Sequence, residues 1–194
     1  ETEFMLNLKA DYALGKKGVW RIMGGYEIQH LSYKTFEGTE AEAIDANTGQ
    51  KIKAPNGTSL LRRDFQQGLI SGLNGGWVSL LQTALIFDTR DFEPDPTHGY
   101  YLEIANEFSN KIIGSQFNFN KLFIQGRVYK KIPVGLRTVF GGRVGVGNIF
   151  GKNAPFFEFQ DQWSPDGGIN SLGGKQSLRG HSANRFLARS LAFA

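Results

Sequence analysis

Strict alternation of apolar and polar residues, repeated over six long runs, most limits the folds open to this chain. In residues 3–12 the even positions are Phe4, Leu6, Leu8, Ala10 and Tyr12, while the odd ones include Glu3, Asn7, Lys9 and Asp11. A period of two places neighbours on opposite faces of an extended backbone, so the run reads as a strand with one greasy and one polar side. Residues 19–33 set Trp20, Ile22, Gly24, Tyr26 and Ile28 against Arg21, Gly25, Glu27 and Gln29. Residues 76–90 set Trp77, Leu81, Leu85 and Phe87 against Gln82, Asp88 and Arg90. Residues 100–111 set Tyr100, Leu102, Ile104 and Phe108 against Glu103, Ala105, Glu107, Ser109 and Lys111. Residues 117–131 oppose Leu122, Ile124, Gly126 and Val128 to Lys121, Gln125, Arg127 and Lys131. Residues 136–149 oppose Leu136, Thr138, Phe140, Val144 and Val146 to Arg137, Gly141, Arg143, Gly145 and Gly147. A seventh strand is predicted to begin near Arg185.

Two all-β architectures use such strands. A soluble sandwich packs its apolar faces together, whereas a membrane barrel turns them to lipid and encloses the polar faces. The connections favour the barrel. They run short, long, short, modest, short and long in chain order, as outer-membrane barrels alternate periplasmic turns with longer extracellular loops. The short ones, at 14–18, 91–99 and 132–135, are predicted to lie on the periplasmic side. The segments 34–75, 112–116 and 150–184 are predicted to lie on the extracellular side. Aromatic residues also stand near both ends of the apolar faces, where a bilayer meets water. The fold class predicted is therefore an antiparallel transmembrane β-barrel whose ionic faces line a wet lumen. Residues 34–75 break the alternation, carry the turn Ala54-Pro55-Asn56-Gly57, and include a predicted short helix at 59–65. Both chain ends fall within alternating pattern, so the expectation is a piece of a larger barrel.

Composition narrows the chemistry. Lys and Arg are scattered singly at a net charge of +4, which does not suit nucleic acid. The chain has no Cys, hence no disulfide framework and no thiolate metal site. His30, His98 and His181 stand in separate regions without ligand spacing, and no Gly-x-Ser-x-Gly elbow occurs. No catalytic residue, metal or cofactor is expected. Asn56-Gly57-Thr58 matches a glycosylation sequon, a pattern that arises by chance in most sequences.

The run Phe87-Asp88-Thr89-Arg90-Asp91, continuing through Pro94 and Pro96 to Gly99, resembles a signature of the BamA/TamA family of outer-membrane proteins. So do Pro155-Phe156-Phe157-Glu158, Gly173-Gly174 and Leu178-Arg179-Gly180-His181, with Arg185-Phe186-Leu187-Ala188-Arg189-Ser190 leading into the next strand. Position 181 departs from the family's usual Tyr or Phe. The resemblance spans about residues 76 to 194. It implies a sixteen-stranded barrel preceded by periplasmic repeats, of which this chain would supply about six to seven strands.

It further implies insertion or secretion of client outer-membrane proteins, with accessory assembly subunits as possible partners. The loop 150–184 would fold back into the lumen, where Arg179 would dock on acidic side chains. Glu103 and Glu107 are the candidates within the chain, although relatives usually supply the partner from strands after the loop. Asp88, Arg90, Asp91 and Gly99 would form an ion-paired periplasmic turn, or simply a capped one. The glycines at 141, 142, 145 and 147 would let the loop approach the wall closely. A passive channel, a two-partner secretion pore and the barrel of a lipase-fused protein remain alternatives.

Overall fold

The computed structural model describes residues 2–15, 17–33, 43–44, 51–52, 60–135, 138–167, 169–170, 180 and 188–194. In chain order the elements are β1 (Thr2–Leu14), β2 (Trp20–Ser32), β3 (Ala43–Ile44), β4 (Lys51–Ile52), α1 (Leu60–Gln66), β5 (Gly75–Asp88), β6 (Gly99–Ser109), β7 (Phe119–Lys131), β8 (Val139–Phe150), β9 (Asp161–Gln162), β10 (Ile169–Asn170) and β11 (Ser190–Phe193). Seven of them form one antiparallel sheet in the order β1-β2-β5-β6-β7-β8-β11. β3 pairs with β4, and β9 pairs with β10. The architecture is all-β, an open arc with β1 and β11 at its edges.

One face of the arc is apolar and exposed. Phe4, Leu8 and Tyr12 of β1, Trp20 and Ile22 of β2, Leu81 and Leu85 of β5 stand on it. So do Tyr100, Leu102 and Ile104 of β6, and Phe140, Val144 and Val146 of β8. The register puts Trp20 opposite Phe87 at one end and His30 opposite Trp77 at the other. Both cross-strand pairs meet at a tilt, with ring centroids 4.8 and 4.7 Å apart. Ten positions separate Trp77 from Phe87, roughly 33 Å of strand. At the tilt usual for a barrel that becomes a band about 25 Å tall, the height of a bilayer's apolar layer.

The opposite face differs from expectation. Its ionic side chains do not line an open, wet lumen here. Glu27, Gln29, Gln82, Glu103, Glu107, Lys121 and Gln125 are all buried, because the chain that follows β8 lies over them. This face is also partly apolar: Leu31, Val78, Leu80, Phe119 and Ile149 form a core with Ala154 and Phe157. Strand limits shift by a few residues. Lys111 belongs to a 3-10 turn (Lys111–Ile113) rather than to β6, and the last strand begins at Ser190 rather than near Arg185.

Connections alternate between the two ends of the sheet. The turns after β1, β5 and β7 share one end, called here the short-turn end. Helix α1 lies in the long connection at the other end.

Candidate functional site: a segment laid along the polar wall

The segment from Gly151 to Gly167 enters at the long-loop end and runs the length of the inner wall. At the start, Phe156 N–H donates to the Ser71 carbonyl at 3.0 Å. Phe157 stacks on Tyr33, with centroids 5.5 Å apart, and meets Phe117 edge-on. Burying these rings contributes to the local adhesion, because apolar area removed from water stabilises by about 25 cal/mol per Å2.

One residue further, Glu158 reaches polar side chains on the wall. Gln29 Nε2 donates to Glu158 Oε1 at 2.6 Å, and Lys121 Nζ pairs with Glu158 Oε2. Lys121 Nζ also lies 3.1 Å from Glu107 Oε2, an ion contact without hydrogen-bond geometry. Gln82 Nε2 donates to Glu107 at 2.9 Å and to Glu27 at 3.1 Å, and Asn7 donates to Glu27. Donors and carboxylates thus alternate around the girth, from β1 through β7 to the overlying segment. The chemistry is self-consistent, since each carboxylate meets an amide or ammonium donor. Taking out Lys121 would leave buried carboxylates facing one another, at a cost of about 3–5 kcal/mol.

The segment then crosses Gly147. A Cβ there would come within 2.8 Å of Gln162 Oε1, so any side chain at 147 would force Gln162 to shift. Trp163 packs against Ala84, Ala105 and Phe123. Ser164 Oγ donates to Glu103 Oε2 at 2.8 Å and accepts from Gln125 Nε2 at 2.9 Å. Tyr101 also donates to Glu103. Asp166 ends the descent at the short-turn end, 2.7 Å from Arg127 Nη1 and 3.5 Å from Arg90 Nη1. β9 and β10 then pair, so the excursion is a hairpin whose described tip is Trp163–Gly167.

Residues 88–99 form the turn beside that tip. Arg90 binds Asp88 with two parallel hydrogen bonds of 3.0 and 2.7 Å. That pairing raises the Arg90 guanidinium above its ordinary range. Arg21 lies 3.7 Å from Asp88 and 3.5 Å from Glu93. Asp91 accepts from the Thr97 hydroxyl and from the backbone N–H groups of Phe92, Thr97 and His98. Those donors, the hydroxyl first, hold its carboxyl down at about 2. Gly99 has φ +117°, and a Cβ there would overlap the Thr89 carbonyl.

Such a wall, apolar outside and bridged by its own loop inside, narrows the families it fits. A model of the Omp85 superfamily domain matches residues 5–191. The chain belongs to the Omp85 superfamily. Omp85 domains are outer-membrane β-barrels that insert or translocate proteins, and their members are assembly or transport proteins rather than enzymes. No curated protein matches the chain.

Within this Omp85 arc, the sequence-derived residues fall in three groups. Asp88, Arg90, Asp91 and Gly99 come together in one turn. Glu103 and Glu107 face inward but already accept hydrogen bonds, from Tyr101, Ser164 and Gln125 in one case and from Gln82 in the other. Leu178, Arg179 and His181 lie outside the described residues, while Gly180 is exposed with φ +94°. Of the four glycines, Gly147 meets the overlying segment, and Gly145 is covered instead by the Phe193 ring. Gly141 and Gly142 neighbour Tyr129 and Val128 of β7.

Sequence reasoning missed Glu158's partners, Ser164 and Asp166. The signal available was Ser164-Pro165-Asp166-Gly167, a turn-forming order with Pro at its second place.

Proposed function

We propose that this chain is wall and inward loop of a BamA/TamA-type assembly factor, which inserts client proteins into the bacterial outer membrane. The carrying observation is the segment of residues 151–167, seated on the inner wall from one end of the strands to the other. A loop held by that many contacts is a moving part, or a brace for one, rather than a passive lining. The work is conformational: the barrel offers an edge to an incoming strand, which adds by backbone pairing. Long connections face the cell exterior and short turns face the periplasm. Arg179 acts as a luminal latch that stabilises the loop. Outer-membrane lipid contacts the apolar band, and client barrels and accessory subunits are the protein partners.

The test is insertion of client barrels in cells depleted of the endogenous factor and supplied with the full-length protein. Arg179→Ala should lower client insertion and raise protease cutting within 150–184. A passive channel instead predicts unchanged client assembly and conductance unaffected by Arg179→Ala.

A further inference from the structure

The hairpin tip carries a carboxylate, Asp166, that meets two arginines of the wall. The residues Ser164-Pro165-Asp166-Gly167 form a tight turn, with Gly167 at φ +83°. Pro fixes the backbone of its second place, so little freedom is lost when the tip docks. Asp166 Oδ2 accepts from Arg127 Nη1 at 2.7 Å, and its backbone carbonyl accepts from Arg127 Nη2 at 3.3 Å. Arg90 stands 3.5 Å from the same carboxylate oxygen. The Arg90 and Arg127 guanidinium carbons lie 4.5 and 5.1 Å from the Tyr101 ring centroid. That ring thereby fixes both cations in place. Arg90 is itself held by Asp88, and its side chain is 2 % exposed. The clamp is therefore built by the β5–β6 turn and by β7, apart from the segment that carries Asp166.

We infer that Asp166 is a positioning residue that ties the hairpin tip to a preformed Arg90–Arg127 clamp, so that the hairpin releases first at the short-turn end and pivots about Phe157. The asymmetry of adhesion supports this order. At the long-loop end the segment is held by a dry cluster around Ala154 and Phe157, both buried. At the tip, past the buried Trp163 and Ser164, the last turn is held by ion pairs to a carboxylate whose side chain is 25 % exposed. Partly exposed ion pairs are weak and respond to salt and competing charge, whereas a buried aromatic cluster does not. Removing Asp166 leaves the clamp's two cations without that carboxylate, which opposes re-docking of a neutral tip.

This inference deepens the assembly-factor reading and rests on it only for its purpose, because its test involves no client. In the full-length protein, solubilised in detergent, Ser164→Cys reports the tip and Ala154→Cys reports the pivot. Each is labelled with a bulky, charged maleimide, and the heat-modifiable gel band confirms an intact barrel. Asp166→Asn should speed labelling at position 164 by about ten-fold, the scale of one charge-assisted hydrogen bond. Labelling at position 154 should not change. Asp166→Glu, which keeps the charge, and the exchange Arg127→Asp with Asp166→Arg should both restore slow labelling. Unchanged labelling at 164, equal acceleration at both positions, or failure of the charge exchange to restore protection would each overturn the inference. Loss of client insertion with normal labelling would count against the assembly-factor reading alone.

Discussion

Gln162 packs over Gly147 so closely that a Cβ on the glycine would lie 2.8 Å from its Oε1 and 3.3 Å from the Phe123 ring. Neither amide atom of Gln162 finds a hydrogen-bond partner among the described residues, so the contact is one of shape. Gly147→Val should therefore push the hairpin off the wall and raise protease cutting between β8 and β11. Gln162→Met, which removes an unsatisfied buried amide at similar volume, should stabilise the seated hairpin by about 1 kcal/mol. Limited proteolysis of the two variants checks both signs, and equal resistance of Gly147→Val and the parent would refute the close-approach argument.

The Asp91 turn should carry a pH dependence of known direction. Its carboxyl titrates at about 2 in the folded turn, chiefly because the Thr97 hydroxyl donates to it. An unfolded Asp titrates near ~3.9. A folded value below the unfolded one means the stabilisation is fully present above about pH 4 and disappears as pH falls through about 2. Amide exchange at Thr97 and His98, followed from pH 5 to pH 2, should accelerate across that window. Asp91→Asn should show fast exchange throughout, with no pH step in the window.

Phe157→Ala should test the anchoring end of the hairpin. The ring is 7 % exposed and belongs to the cluster with Leu31, Val78, Phe119 and Ile149. Deleting a buried Phe costs about 3–5 kcal/mol. The loss should appear as release of the whole segment, because Phe157 also supports Phe156 and Tyr33 through ring contacts. Strand content by far-UV circular dichroism should stay the same, since the sheet's backbone ladder does not pass through this residue. A parallel collapse of strand content would show that the cluster holds the wall itself.

The strands were legible because a period of two survives any detail of packing. Trp77, Leu81 and Leu85 had to share a face, and they do. The inner face was harder to read, since Glu103 and Lys121 look the same in a sequence whether water or protein covers them. Val78-Ser79-Leu80-Leu81 did hold a hint. A run apolar on both faces marks a strand covered on both sides, and Val78 and Leu80 are indeed buried. Asp88 and Arg90 were visible as a pair because they are two residues apart. Asp166 was not, because its partners stand 76 and 39 positions away and no local pattern points to them. The turn at 88–99 thus disclosed one half of the clamp and concealed the other.

The girdle of Asn7, Glu27, Gln82, Glu107 and Lys121 has a mechanical consequence. Its bonds run across the strands, so sliding any one of them by a residue would sever its links on both sides and flip its greasy side inward. Glu158 bolts a sixth, non-wall element to the same hoop. These staves therefore rock together as one plank, and any sideways parting of the full cylinder takes place at a joint other than these.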